Sequence, residues 1–232
     1  MDKKWSDLYK NREIERFGSL EAYLNQDWNQ HFNKKVKLQG NYFSLIKKNA
    51  GNVKPIIEFG TGSGRYAAFF ASLGYDSYGV DIDEGMVELA RMVSNAISPD
   101  NPVKIQKTDI RQMPFDDNFF SVGYSHGVLE HFQDNQIVRM LNEQIRVADS
   151  IVFCVPSTYF DNTMVEGHVI GNERYLTNKK WREIINYSNA KLVTEAGCNQ
   201  RRLKYRISQI MRDPKKIFKP KAFSIFELAK RQ

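Results

Sequence analysis

A glycine-rich loop is the first feature of the sequence that could do chemistry. Gly60-Thr61-Gly62-Ser63-Gly64 follows the apolar segment Ile56–Phe59 and precedes a segment with a helical pattern. Alternating glycines let the backbone turn sharply and bring main-chain N–H groups against a ligand. Asp81 stands 21 residues after Gly60 and ends the next apolar segment, where a carboxylate can accept hydrogen bonds from both hydroxyls of a ribose. These residues predict a site for a ligand that contains a nucleoside.

The loop by itself leaves the kind of nucleoside open. Gly62–Ala67 satisfies the dinucleotide pattern G-x-G-x-x-A, so a nicotinamide-dependent oxidoreductase is one alternative. Glu58 favours another ligand, because a carboxylate inside an apolar strand costs several kcal/mol unless an ammonium-bearing ligand or the loop's own N–H groups supply a partner. Asp109 ends a third apolar segment, where it can bond an adenine amino group while the ring packs against Ile82 and Ile110.

The order and spacing of these motifs resemble one family. E-F-G-T-G-S-G, G-V-D-I-D, T-D-I followed by P-F, and S-H-G-V-L-E-H-F are similar to the class I S-adenosylmethionine-dependent methyltransferases, in particular the branch that acts mostly on small molecules. The similarity covers residues 55–157, and the region from Gly171 to Trp181 resembles the substrate-side loop and helix of that branch. It implies S-adenosyl-L-methionine as the cofactor.

The resemblance also implies roles for individual residues. Those that would hold the methionine part of the cofactor are Glu58, Gly60, Thr61 and Gly62, with the backbone of Ser125 approaching it. Those that would bind the adenosine part are Asp81 on the ribose hydroxyls, Ile82 against adenine, and Asp109 with the backbone of Ile110 at the adenine amino edge.

Candidate catalytic residues follow the fourth apolar segment. Methyl transfer from a sulfonium requires alignment, desolvation and, for some acceptors, a base. His126 is the first candidate base, with a hydrogen-bonding histidine of the pocket wall as its alternative, and His168 is the second candidate. Further bases in reach are Glu130, His131 and Tyr159, although Glu130 and His131 are expected to cap and fix their own segment. The His, Cys and carboxylate spacings indicate no metal site.

The elements that must position these residues alternate along the chain. The predicted strands are Ile56–Phe59, Ser77–Asp81, Val103–Thr108, Phe119–Tyr124, Ser150–Val155, Lys191–Glu195 and Phe223–Leu228. The predicted helices are Arg65–Leu73, Glu84–Ala96, Gln133–Val147 and Asn178–Tyr187. This rhythm predicts an α/β fold of the Rossmann-like type, in which a seven-stranded, mostly parallel sheet carries helices on both faces and binds its ligand at the carboxyl ends of the strands.

The first fifty residues differ from the rest. Residues 1–50 mix aromatic and charged residues and predict two or three short helices that form a cap or lid on the domain of residues 51–232. Tyr9, Trp28 and Phe32 could close over the cofactor and exclude water, or could be core aromatics of the cap.

Charge is concentrated in one segment. The 232-residue chain has a net charge of +7, and its 41% hydrophobic content excludes global disorder. Residues 201–222 carry nine basic residues and one acid, which places a basic insertion at about 200–221 and leaves the remainder close to neutral. The insertion could dock an anionic small-molecule acceptor or carrier, contact RNA, lie on a membrane surface, or be a solvated amphipathic helix.

Taken together, the residues predict an S-adenosylmethionine-dependent methyltransferase that modifies an O or N atom of a small molecule. A protein or RNA acceptor and a non-catalytic binding protein of the same fold are the alternatives. Ser125-His126-Gly127-Val128 stands where methyltransferases of nucleic-acid amino groups carry an N/D-P-P-Y type motif, which argues against a nucleic-acid partner. The chain has neither an apolar run that could span a membrane nor a secretory pattern at its start, so a cytoplasmic location is expected.

Overall fold

The structure is a computed structural model, and it describes residues 5–51, 53–156, 173–198 and 223–231. The side chains of residues 8–10 and 12–14 are not described within the first of these ranges. The predictions made for the Tyr9 side chain, Tyr159, His168 and the basic insertion therefore lie outside the described residues.

The described ranges contain seven strands and seven α-helices. The helices are α1 (Trp5–Phe17), α2 (Leu20–Leu24), α3 (Trp28–Asn49), α4 (Arg65–Ser72), α5 (Glu84–Ile97), α6 (Asp134–Val147) and α7 (Asn178–Asn186). The strands are β1 (Ile56–Phe59), β2 (Ser77–Asp81), β3 (Lys104–Lys107), β4 (Phe120–His126), β5 (Ala148–Pro156), β6 (Ala190–Cys198) and β7 (Phe223–Lys230). A short 3₁₀ helix, Leu129–His131, follows β4.

The strands form one sheet in the order β3-β2-β1-β4-β5-β7-β6. The first five are parallel to one another, whereas β7 is antiparallel to both β5 and β6. The Rossmann-like, mostly parallel sheet with helices on both faces is thereby confirmed. The carboxyl ends of β1, β2 and β4 lie side by side, which is where the fold places a ligand.

Alternating side chains of each strand bury two cores. On one face, Ile57 and Phe59 pack with residues of α6 and α7, including Leu141 and Trp181. On the other face, Ile56 packs with Phe43 of α3 and with residues of α4. Because successive strand residues point to opposite faces, Glu58 shares the second face with Ile56.

The N-terminal helices confirm the predicted helical region but correct its dimensions. The third helix, α3, has 22 residues and is not short. It bends at Gln39, whose backbone leaves helical geometry at φ −116° and ψ 25°. Trp28 and Phe32 pack with Tyr23 and with residues of α5, so these aromatics are core residues of the cap. Because α3 bends at Gln39, its first half can pack in this aromatic cluster while its second half packs against the face of the sheet.

Candidate functional site

The glycine loop is held between two neighbouring elements. Gly60 has φ +63° and Gly64 has φ +72°, values that favour glycine. A Cβ on Gly60 would lie 2.9 Å from Cγ2 of Val128, and a Cβ on Gly64 would lie 2.8 Å from Cβ of Ala90. The loop therefore contacts both the turn after β4 and helix α5, and a side chain at either position would displace it.

Glu58, a buried residue of β1, is hydrogen-bonded to this loop and to the helix that follows it. Its residue surface is 3% exposed, and its Oε2 accepts hydrogen bonds from the Thr61 hydroxyl at 2.8 Å and from the Ala67 N–H at 3.0 Å. Burial raises the pKa of Glu58 to about 8, against the opposing effect of these two hydrogen bonds. The sequence predicted a ligand ammonium or the loop's own N–H groups as partners; the protein does supply donors, but they are the Thr61 hydroxyl and an N–H of α4.

Asp81 joins the end of β2 to the same loop. Its Oδ2 accepts from the Gly62 N–H at 2.9 Å, and its Oδ1 accepts from the Asp83 N–H at 3.0 Å. Burial raises the pKa of Asp81, although both backbone hydrogen bonds favour the ionised form. Ile82, the next residue, is 54% exposed. An acid, an exposed apolar side chain and the glycine loop thus share one edge of the sheet.

Asp109 has a partner that sequence reasoning missed. Arg111 Nε donates a hydrogen bond to Asp109 Oδ1 at 2.9 Å, and Arg111 Nη2 donates one to Oδ2 at 2.6 Å. The guanidinium and the carboxylate therefore form a bidentate ion pair. This pairing lowers the pKa of Asp109. The only signal in the sequence was the two-residue spacing. Ile110, in contrast, is buried in the core of the α6 face.

The histidine at the end of β4 is held by a residue of the N-terminal cap. Gln39 Nε2 lies 3.0 Å from His126 Nε2, and the Tyr66 hydroxyl donates to Gln39 Oε1 at 2.9 Å. Because the amide nitrogen can only donate, His126 Nε2 accepts and the neutral ring carries its proton on Nδ1. The rings of Tyr42 and Phe223 also pack against the imidazole. Burial, then the charges of Lys35 and Arg65, lowers the pKa of His126 to about 3.

Sequence reasoning also missed Gln39. It is fully buried in α3 between apolar residues on the same face, such as Tyr42 and Phe43. A polar residue within an apolar helical stripe was the available signal, since buried polar groups need partners.

Glu130 departs from the role expected for it. Its residue surface is 2% exposed, and its Oε2 has no hydrogen-bond partner in the part of the chain that the structure describes. This oxygen therefore caps nothing there, and the bond that ties the segment down is instead from the Arg174 N–H to the Glu130 carbonyl oxygen, 2.9 Å. Burial raises the pKa of the Glu130 carboxyl to about 8, and Glu173 adds to the rise.

The start of α1 lies across this edge of the sheet. The Ser6 N–H donates to Asp83 Oδ2 at 3.0 Å, and the rings of Trp5 and His131 meet edge to face with centroids 4.8 Å apart. The same helix end therefore contacts the loop after β2 and the 3₁₀ helix after β4. Ser125, predicted to face the cofactor, is buried in β4 opposite Phe153 of β5.

The described residues contain neither a cluster of metal-ligating side chains nor a membrane-spanning helix. Across residues 5–51, 53–156, 173–198 and 223–231, no three His, Cys, Asp or Glu side chains are grouped so that they could hold a metal ion. Within the same ranges, none of the helices combines the length and the apolar character needed to cross a membrane.

Known proteins share this fold and part of this sequence. Residues 57–150 match the family model described as a methyltransferase domain. No curated protein sequence matches the chain. Many solved structures do, among them magnesium protoporphyrin IX methyltransferase from Synechocystis PCC 6803 with bound SAH, at 15% identity and a TM-score of 0.61, covering 86% of this chain and 84% of that one.

Two more structures extend this comparison. Geranyl diphosphate C-methyltransferase from Streptomyces coelicolor A3(2) has 11% identity and a TM-score of 0.60, covering 83% of this chain and 78% of that one. The PH0226 protein from Pyrococcus horikoshii OT3 has 12% identity and a TM-score of 0.63, covering 90% and 93%. At these identities the structures show a common fold. With the family match, residues 57–150 of this chain correspond to a methyltransferase domain.

Proposed function

We propose that this enzyme transfers a methyl group from S-adenosylmethionine to an O or N atom of a small-molecule acceptor. The observation that carries the proposal is the hydrogen bond from the Gly62 N–H to Asp81 Oδ2, 2.9 Å, which couples the glycine loop to the ribose-binding position. When bound, the cofactor supplies an activated methyl group. The protein's part is then to bind, to orient and to exclude water.

The residues present fit this cofactor. Gly60 packs tightly against Val128, whereas a Cβ on Gly62 would meet only Met86 Cε among the described residues, at 3.7 Å, so a ligand can approach the backbone of the loop Gly60, Thr61 and Gly62 at Gly62. Glu58 is a buried carboxyl with a raised pKa, and a ligand ammonium nearby would favour its ionised form. We assign the methionine part to these groups and to the backbone of Ser125.

The adenosine part is assigned to the ends of β2 and β3. Asp81 keeps acceptor capacity on both oxygens for the ribose hydroxyls, since each accepts one backbone hydrogen bond. Ile82 is exposed and can cover one face of adenine. Asp109 and the Ile110 backbone would read the amino edge, with Arg111 holding the carboxylate ionised.

His126 is proposed to line the acceptor side as a neutral ring. With a pKa of about 3 and Nε2 engaged by Gln39, it is a weak base near neutral pH, which favours the pocket-wall role over proton transfer. His168, outside the described residues, stays the second candidate for contact with the acceptor.

The small-molecule assignment draws on two further points. Two similar structures are named for magnesium protoporphyrin IX and geranyl diphosphate, both small molecules. The basic insertion could attract an anionic acceptor, and neutralising Arg201, Arg202 and Lys204 together should then weaken acceptor binding and its salt dependence. A protein or RNA acceptor remains the second candidate because of the same charge.

The cofactor assignment is tested by ligand-induced stabilisation. S-adenosylmethionine and S-adenosylhomocysteine should each raise the melting temperature, and Asp81→Ala should remove most of the shift. Asp149→Ala is the matched control. Asp149 is an exposed carboxylate whose partner, Lys54, precedes the amino end of β1, whereas the cofactor is assigned to the carboxyl ends of the strands. Stabilisation by NAD and by neither of the two ligands would contradict the proposal.

The acceptor class is tested with methyl-labelled S-adenosylmethionine in a cell extract separated by molecular mass. Label should appear in the low-mass fraction. Label that stays with macromolecules until protease or nuclease is added would overturn the small-molecule assignment.

A further inference from the structure

We propose that Glu130 contacts the methyl acceptor and takes its proton as the methyl group is transferred. The inference rests on the proposed function and deepens it. It begins from a carboxyl that is 2% exposed and whose Oε2 has no hydrogen-bond partner among the described residues. Because a buried polar atom without a partner is costly, such an atom calls for a functional explanation.

Glu130 stands two residues after Val128, the residue that contacts the glycine loop. Gly60 lies against Val128, and a Cβ on Gly127 would lie 3.5 Å from Glu130 Oε1. Gly127 has φ +73° and follows the last residue of β4. The carboxyl therefore sits over the turn that forms one wall of the crevice, within a few residues of the contact between that turn and the loop.

The surroundings of Glu130 favour the neutral carboxyl, against a hydrogen bond from its own backbone N–H. Three titratable groups interact electrostatically with Glu130: the Glu173 carboxyl, the Tyr175 hydroxyl and the Cys154 thiol. The Tyr175 hydroxyl is itself bonded to Glu173 at 2.9 Å. On its own segment, His131 follows directly and packs against Trp5. Burial and the nearby Glu173 both disfavour the carboxylate, whereas a sulfonium in the crevice would favour it.

The same arrangement selects the class of acceptor. A carboxylate oxygen that no donor of the described residues engages suits an acceptor that presents an O–H or N–H to it. In the step, the acceptor oxygen or nitrogen bonds to the methyl carbon, its proton passes to Glu130 Oε2, and the electron pair of the broken carbon–sulfur bond stays on sulfur. One positive and one negative charge are neutralised, so the products are uncharged. His126 cannot serve equally, because Gln39 already occupies its accepting nitrogen.

The test compares two ligands that differ in charge at sulfur. S-adenosylmethionine and S-adenosylhomocysteine share an ammonium and a carboxylate, but only the first is a sulfonium. The affinities of both are measured by calorimetry from pH 6.5 to 9. If Glu130 faces the sulfur, the affinity ratio should shift in favour of S-adenosylmethionine as pH rises through about 8, by about tenfold for each unit by which the Glu130 pKa differs between the two complexes.

Four variants show which carboxyl causes the pH dependence. Glu130→Gln should abolish the pH dependence of the ratio, and Glu130→Asp should retain one, since it keeps a titrating carboxyl. Glu58→Gln weakens both ligands but should keep the dependence, because Glu58 is assigned to the ammonium that both ligands share. Glu183→Gln, an exposed carboxylate of α7, should behave as the unmodified protein.

The outcomes separate the two proposals. A ratio that does not change with pH in the unmodified protein overturns the role of Glu130, as does an unchanged slope in Glu130→Gln. The pH dependence of the affinity ratio is measured in the unmodified protein, so it tests the role of Glu130 even if a variant folds poorly. Failure of both ligands to bind overturns the proposed function itself.

Discussion

Gln39 and His126, 87 residues apart in sequence, meet through a 3.0 Å contact between the side-chain amide nitrogen and imidazole Nε2. The contact joins the bend of α3 to the carboxyl end of β4. It sets the tautomer of the imidazole, because the amide donates and the ring nitrogen must accept. A residue of the N-terminal helices thus sets which ring nitrogen of His126 carries the proton.

Gln39→Glu should raise the pKa of His126 from about 3, because a carboxylate accepts from Nε2 and favours the imidazolium. Imidazole chemical shifts followed through a pH titration measure this. Gln30→Glu makes the same charge change at an exposed site on α3 and should leave His126 unaltered. An unmoved His126 pKa in Gln39→Glu would show that the contact does not control the ring.

The free energy of unfolding should fall as pH rises from about 7 to 8. Glu58 and Glu130 have folded pKa values of about 8, so in this window the folded protein holds protons that the unfolded chain has released. Each carboxyl contributes a slope of at most about 1.4 kcal/mol per pH unit. His31 and His126, with pKa values of about 3, act in the opposite sense, but only below about pH 6.5.

Urea denaturation of the ligand-free protein at several pH values measures this slope. Glu130→Gln should reduce it by about half, because one of two titrating groups is removed. Stability that rises between pH 7 and 8 would mean that neither carboxyl is neutral in the folded protein.

Asp109→Ala should remove the preference for adenine over hypoxanthine. S-adenosylhomocysteine and S-inosylhomocysteine differ at the amino group that Asp109 is proposed to bind, and one such hydrogen bond is worth about 1.5–3 kcal/mol when one partner is charged. The two affinities are compared by calorimetry. Asp117→Ala is the control, since Asp117 is also an arginine-paired carboxylate, bonded to Arg146 at 2.8 Å. A preference that survives in Asp109→Ala would leave Asp109 as no more than the partner of Arg111.

Trp5→Ala should speed the dissociation of S-adenosylhomocysteine several-fold. The start of α1 contacts both Asp83 and His131, so it bridges the two sides of the crevice that a ligand must leave through. Stopped-flow displacement gives the rate. Glu15→Ala, at an exposed position of the same helix, should not change it. Equal rates in all three proteins would show that the helix covers no exit.

Gly123→Ala should destabilise the fold by about 1–3 kcal/mol, because an added methyl would overlap the Phe59 ring in the core. Gly40→Ala is the matched substitution on α3, where a Cβ meets nothing within 4 Å. It should be neutral or stabilising by about 0.5–1 kcal/mol, since alanine is the better helix former. Denaturant midpoints decide between the two, and similar losses in both would contradict the packing argument.

Local patterns were enough to predict much of the fold. Apolar periodicity predicted β1 and β2 with their observed bounds, Ile56–Phe59 and Ser77–Asp81. The alternating glycines between β1 and α4 predicted a sharp turn, and all three adopt positive φ. These features depend on residues close in sequence, so the spacing of Gly60, Asp81 and Asp109 could be interpreted without a structure. The same motifs pointed to the class I methyltransferases, and the family match and the fold agree.

The remaining features needed the tertiary structure, because they depend on contacts between distant segments. Periodicity does not say that β7 inserts antiparallel between β5 and β6, since that choice is made by pairing across the sheet. Nor does it say that Gln39 reaches His126, or that the Glu130 carboxyl is buried with an oxygen unbonded among the described residues. Burial and neighbouring charge set a pKa, and both are properties of packing. Sequence determined which groups stand at the edge of the sheet, and only the packed structure decided which of them are neutral, engaged or available.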